Sequence, residues 1–222
     1  MSLFLFPAST HGAILPKVLP KTRIFEKSGV SKAVQRRFSR EIEKVTWEHV
    51  LSSRTLNLME SPSVKENQVF RLDLRTESPD SELLRLLDAA IPSPLVLELV
   101  HGHRIRMAMA WKRPHRQDPA RKVVGEHFFG PWEFLPGTRE MLPVVADLGA
   151  LQERLFQSLL AFPVREGETL TEHLARMEEY QSLEREAARL RQAQEREVQF
   201  NRKMELHRSL LVLEAREDAL RS

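Results

Sequence analysis

The chain has 222 residues, 41% of them hydrophobic and 29% charged, with 34 Lys and Arg against 31 Asp and Glu for a net charge of +3. That balance excludes wholesale disorder, and the length suits one globular unit with an extension. The absence of cysteine excludes disulfides, thiolate metal sites and thiol nucleophiles.

The opening run Met1-Ser2-Leu3-Phe4-Leu5-Phe6-Pro7 lacks a basic leader and is too short for a signal core or a membrane span, so a cytoplasmic protein is expected. Pro7, Pro16 and Pro20 make residues 1–30 an expected extended arm. Ser31 has the character of an N-cap, and Val34, Phe38, Ile42 and Val45 recur at helical spacing, which predicts a helix to about Leu51. On another face of that helix Lys32, Arg36, Arg40 and Lys44 form an i, i+4 row, with Arg37 beside it.

Residues 67–76 alternate apolar and polar as a half-buried strand does, and Pro79-Asp80-Ser81 starts a helix that Pro92 and Pro94 stop. Leu95–Val100 and Arg104–Trp111 flank His101-Gly102-His103, a tight-turn signature that predicts a β-hairpin. A polar loop from Lys112 to Gly125 leads to a strand over 127–134, and a helix over 148–161 closes the domain. From Thr169 onward there is neither Gly nor Pro. Leu174, Met177, Leu183, Ala187 and Leu190 follow coiled-coil spacing, and a second phase runs through Leu206, Leu210, Leu213 and Leu220. The polar stretch 191–203 between the phases leaves one long helix and a helical hairpin both open. The expected fold is therefore α+β: an arm over 1–30, a core with a small mixed sheet and packed helices over 31–162, and a helical tail over 168–222.

No phosphate-binding glycine loop, dinucleotide fingerprint, zinc helix or nucleophile elbow occurs, and no cofactor is expected. His101 and His103 offer a metal two ligands at most, and an exposed turn is the plainer account of them. A Mg²⁺-dependent nuclease needs carboxylates and a lysine on neighbouring strands. Asp73, Glu98 and Lys112 are the residues available for it, although Val100 stands where a Glu-x-Lys pair would put its lysine. Cations that can follow a phosphate backbone are Lys32, Arg36, Arg37, Arg40 and Lys44 on the helix and Arg104, Arg106, Lys112 and Arg113 on the hairpin, extended by Arg116, Arg121 and Lys122 in its loop. A solvated charged face is the alternative. The leucine seam of the tail has to bury itself against a partner, a second copy or its own hairpin arm.

Four segments carry a resemblance: Lys21–Val30, the run Ile42–Trp47, Leu87–Pro94, and Gln199–Leu206. In this order and spacing they resemble a bacterial family catalogued as domain of unknown function 4391, over nearly the whole chain. The resemblance carries no catalytic residues. It implies company with a DEAD/DEAH-type helicase and a DNA methyltransferase in anti-phage loci similar to type III restriction–modification, and hence an accessory subunit. Leu174, Met177, Leu183, Leu190, Phe200, Arg202, Lys203, Leu206, Leu210 and Leu213 are its expected partner-binding residues. A metal-dependent nuclease effector of the same system, and a homo-oligomer built through the tail, are the alternatives.

Overall fold

The computed structural model describes residues 3–11, 16–114, 122–160 and 162–221, with the side chain of Pro114 left out. Two compact units, 1–160 and 161–222, make up the chain. The first is α+β and the second is a pair of long helices.

In chain order the first unit runs β1 (Phe4–Leu5), a 3-10 turn (Ala8–His11), β2 (Lys17–Val18), α1 (Lys21–Ser28), α2 (Lys32–Glu41), β3 (Ile42–Ser52) and the single turn α3 (Ser53–Leu56). It continues through β4 (Glu66–Leu74), α4 (Ser81–Ala90), β5 (Leu95–His101), β6 (Arg104–Pro114), β7 (Lys122–Phe129), β8 (Glu133–Phe134), β9 (Glu140–Met141) and α5 (Leu148–Gln157). The main sheet has the order β2-β3-β4-β5-β6-β7, with β8 added beside β6. Only the β4–β5 pair is parallel in this sheet, as the α4 crossover between them requires.

The sheet buries both faces. Phe70, Leu72 and Leu74 of β4 and Leu95, Leu97 and Leu99 of β5 point to the side covered by Ile24 of α1, Phe38 of α2 and Leu83, Leu84 and Leu87 of α4. The alternate residues Val69, Val96, Met107, Met109 and Phe128 are buried on the other side, where Phe128 meets Phe156 of α5 edge-on at 5.4 Å.

Two expectations are corrected here. The helix predicted to Leu51 ends at Glu41, and Ile42 takes extended backbone (φ −110°, ψ 118°) to begin β3. Ile42, Val45, Thr46, Trp47 and Val50 are β-branched or aromatic, as a strand favours. Bulges between Ile42 and Lys44 and between Trp47 and His49 break the period-two alternation that would have marked it. Lys44 therefore lies on a strand, outside the helical row. The arm is the second correction: it contains α1, which starts directly after Pro20 and ends at Gly29 in the left-handed region (φ 60°). Its earlier part belongs to the first unit, with Leu3, Phe4 and Phe6 buried and β1 paired to β9. The β5–β6 hairpin forms as expected, with His101 opposite Arg104 and Gly102 at φ 59° in the two-residue turn.

The second unit settles the open question of the tail: α6 (Leu170–Arg196) and α7 (Phe200–Arg221) form a hairpin. Arg191 reaches Glu214, Arg216 reaches Glu179 and Arg221 donates to the Tyr180 hydroxyl, pairings that fix the helices antiparallel. At the open end Arg176, almost fully buried, holds both oxygens of Glu168 and donates to the carbonyls of Pro163 and Leu220. It thereby satisfies a helix-terminal carbonyl that has no partner within α7. Arg176 keeps the Glu168 carboxyl depressed to about 2.

Candidate nucleic-acid interface

The cations named from sequence divide sharply by environment. On α2, whose N-cap Ser31 accepts from the Val34 amide at 3.4 Å, Phe38 is buried while Lys32, Arg36 and Arg40 stand on the exposed stripe. Lys32 and Arg36 have no ion-pair partner among the described residues, and Arg40 has only its chain neighbour Glu41, at 3.3 Å. Arg37, on the flank, is occupied by Asp80 and Glu82 at the start of α4. Lys44 pairs with Asp73 across the β3–β4 ladder.

The hairpin cations are mostly engaged inside the fold. Arg104 pairs with Glu77 and lies over the Trp132 ring. Arg106 is sandwiched against Phe129 (4.4 Å) and Trp132 (4.5 Å). Lys112 is the clearest correction. Its side chain is 3% exposed, it pairs with Asp88 at 3.2 Å, and it donates to the carbonyls of Ile91 and Ser93 at 2.7 Å each. His127 approaches the second Asp88 oxygen at 2.8 Å. Burial lowers the Lys112 pKa, and Asp88 opposes that shift. A lysine so enclosed is unavailable to a phosphate. Arg113 is exposed, Lys122 is exposed at the start of β7, and Arg116 and Arg121 lie outside the described residues.

Nor do Asp73, Glu98 and Lys112 converge. Glu98 faces the α5 side of the sheet, where Arg139 grips it through both terminal nitrogens (2.5 and 3.2 Å) while also donating to the Phe4 carbonyl. Asp73 shares that side and is taken up by Lys44 and Arg71. Lys112 reaches Asp88 of α4 on the opposite side. Glu48, half-buried near Glu98, has its carboxyl pushed up by burial and then by that neighbouring charge. No cluster of three or more metal-ligating groups suited to an ion occurs among the described residues.

Sequence reasoning missed the cations of α1. Arg23 and Lys27, one turn apart, are exposed and have no ion-pair partner among the described residues. Arg75, just past β4, lines a surface groove with Arg40, and its charge adds to burial in lowering the Lys21 pKa. The i, i+4 spacing of Arg23 and Lys27 was the available signal, obscured by the prolines that argued for an extended arm.

In the second unit Leu174, Met177, Leu183 and Leu210 are buried, and Leu190, Leu206 and Leu213 are half-buried. The buried members of the expected partner seam are thus closed to a partner, because the hairpin supplies its own second helix. What remains open is the hairpin tip. Val198 is 95% and Phe200 74% exposed, with Arg196, Arg202 and Lys203 exposed around them. Leu211 and Val212 are exposed farther along α7. No helix among the described residues is long and apolar enough to cross a membrane.

A family model described as Domain of unknown function (DUF4391) matches residues 6–216. No curated protein and no solved structure matches the chain.

Proposed function

The chain belongs to the family described as domain of unknown function 4391, and from that premise and its own geometry we propose a non-enzymatic accessory subunit that contacts a nucleic-acid backbone through α1–α2 and a protein partner through the hairpin tip. The observation that carries it is the set of exposed, uncompensated cations Arg23, Lys27, Lys32 and Arg36, joined by Arg40, on two consecutive helices. Cations placed this way release counterions from phosphates without reading sequence. Val198 and Phe200 at the tip are large exposed apolar groups flanked by charges of both signs, Arg196, Arg202 and Lys203 against Glu195, Glu197 and Glu205, which suits an apolar patch with a rim of mixed charge. The resemblance points to a helicase or DNA methyltransferase of an anti-phage complex as that partner.

The test is the salt dependence of fluorescence anisotropy with labelled DNA and RNA of unrelated sequences. Affinity should fall steeply and linearly in log salt, and the triple variant Lys32→Glu/Arg36→Glu/Arg40→Glu should abolish binding. Binding that ignores salt, or survives the triple reversal, removes the reading. For the tip, Val198→Ser/Phe200→Ser should release the protein from the complex recovered with its neighbouring gene products, leaving nucleic-acid affinity unchanged.

A further inference from the structure

Beside the cation surface the first unit carries an apolar cleft of about 280 Å³, bounded by Ile24 of α1, Trp47 of β3, Phe70 of β4 and the Ile91-Pro92 segment after α4. We infer that this cleft seats one base of a single-stranded nucleic acid, its phosphate held at the rim by Arg23 and Lys27. The inference deepens the backbone-binding reading and rests on it.

Four observations define the occupant. Its volume lies just under the roughly 300–1,000 Å³ of sites for drug-sized ligands, which suits a single flat ring system. Trp47, half-buried, gives the cleft an aromatic surface of the kind on which bases stack irrespective of sequence, and the buried Phe70 ring backs it, parallel to within 11° with centroids 6.1 Å apart. Two polar atoms await partners. The buried Trp47 Nε1–H has no acceptor among the described residues, although buried indole N–H groups ordinarily find one. Gln68 commits its amide nitrogen to Glu66 and Ser93, and its oxygen accepts no hydrogen bond among the described residues. The carbonyls, ring nitrogens and amino groups of a base edge match both. Finally, the rim cations Arg23 and Lys27 call for an anion, which an apolar peptide would not supply.

The cleft is preorganised. Lys112 fixes the Ile91 and Ser93 carbonyls from beneath, and Asp88 in turn holds Lys112, so the ion pair buried in the core sets the Ile91-Pro92 lip. Three of the segments that carry the family resemblance, 21–30, 42–47 and 87–94, meet at this one place.

The full chain is titrated into a deoxythymidine oligomer of about 12 nucleotides carrying one 2-aminopurine, and into its duplex. The 2-aminopurine fluorescence should be quenched on binding to the wild-type protein, and the single strand should bind about ten-fold more tightly than the duplex. Trp47→Leu should lower single-strand affinity about ten-fold and leave duplex affinity unchanged. Equal affinity for both forms, without quenching, overturns the cleft assignment and leaves the backbone reading standing. Binding of neither form overturns the backbone reading itself. Quenching of free 2-aminopurine riboside monophosphate, without quenching in the oligomer, assigns the cleft to a free nucleotide and overturns the strand proposal. Because the quenching is read on the unaltered protein, a Trp47 variant that fails to fold does not shield the inference.

Discussion

The basic residues of α1–α2 and those of the β5–β6 hairpin are indistinguishable by composition, yet the fold treats them oppositely. Lys32 and Arg36 are left without partners among the described residues, while Arg104, Arg106 and Lys112 are drawn onto aromatic rings, carbonyls and carboxylates. The difference comes from what each element faces. α2 needs only Phe38 and its flank to dock on the sheet, so its outer stripe is free to carry charge. β6 has both faces covered as far as Lys112, with Arg113 beyond it exposed, so a cation within the covered stretch either finds an internal partner or costs the fold several kcal/mol. A cation's presence in a cluster therefore says little about binding until its burial is known.

The largest effect that separates the two sets is expected at Lys112. Lys112→Met leaves Asp88, a fully buried carboxylate, with His127 alone, and removes the donor from two carbonyls. A loss of about 3–5 kcal/mol is expected, read as a lower urea midpoint at unchanged slope. Lys32→Met should stay within about 0.5 kcal/mol of wild type. Equal effects at the two positions would remove the distinction between engaged and open cations.

Arg176 extends the comparison to the second unit. Arg176→Met leaves the Pro163 carbonyl without its donor and reduces Glu168 and the Leu220 carbonyl to their hydrogen bonds from Arg165, at an expected cost of about 1.5–3 kcal/mol to the hairpin. The same contact sets a pH dependence. The Glu168 carboxyl is depressed in the folded state to about 2, chiefly by its hydrogen bonds from Arg176, so its contribution is complete above the ordinary carboxylate range. That contribution is lost as pH falls from about 4.5 towards 2. The melting temperature of the wild-type hairpin should fall over that window more steeply than that of Glu168→Gln, and parallel curves would contradict the assignment.

How much of this was legible beforehand follows the range of the signals. The β5–β6 hairpin was readable because the turn and both strands lie within twenty residues and Gly102 occupies the position that needs positive φ. β3 was hidden because two bulges removed its alternation while Ile42 and Val45 happened to prolong the helical period of Val34 and Phe38. The engagement of Lys112 was invisible, since Asp88 lies on a different element and meets it only through the packing of α4 on the sheet. The cleft shares that property: its walls come from α1, β3, β4 and the segment after α4, and no local pattern announces them.

Arg106 gives a smaller effect. Its guanidinium stacks on Phe129 and Trp132 while half-buried, and Arg106→Ala should lose about 1–2 kcal/mol through packing as much as through charge. Nucleic-acid affinity should hardly change, because the group is engaged within the fold.

The smallest expected change in stability, and the most informative about binding, belongs to Arg36. Arg36→Gln removes an exposed cation with no ion-pair partner among the described residues, so unfolding should shift by no more than about 0.5 kcal/mol. If Arg36 contacts a phosphate, the slope of log affinity against log salt on duplex DNA should become shallower by about 0.9. Arg40→Gln, whose cation already has Glu41 beside it at 3.3 Å, should change the slope less. A slope unchanged by Arg36→Gln would mean that the open stripe of α2 is a solvated face, and that exposure without a partner is insufficient to mark a phosphate contact in this fold.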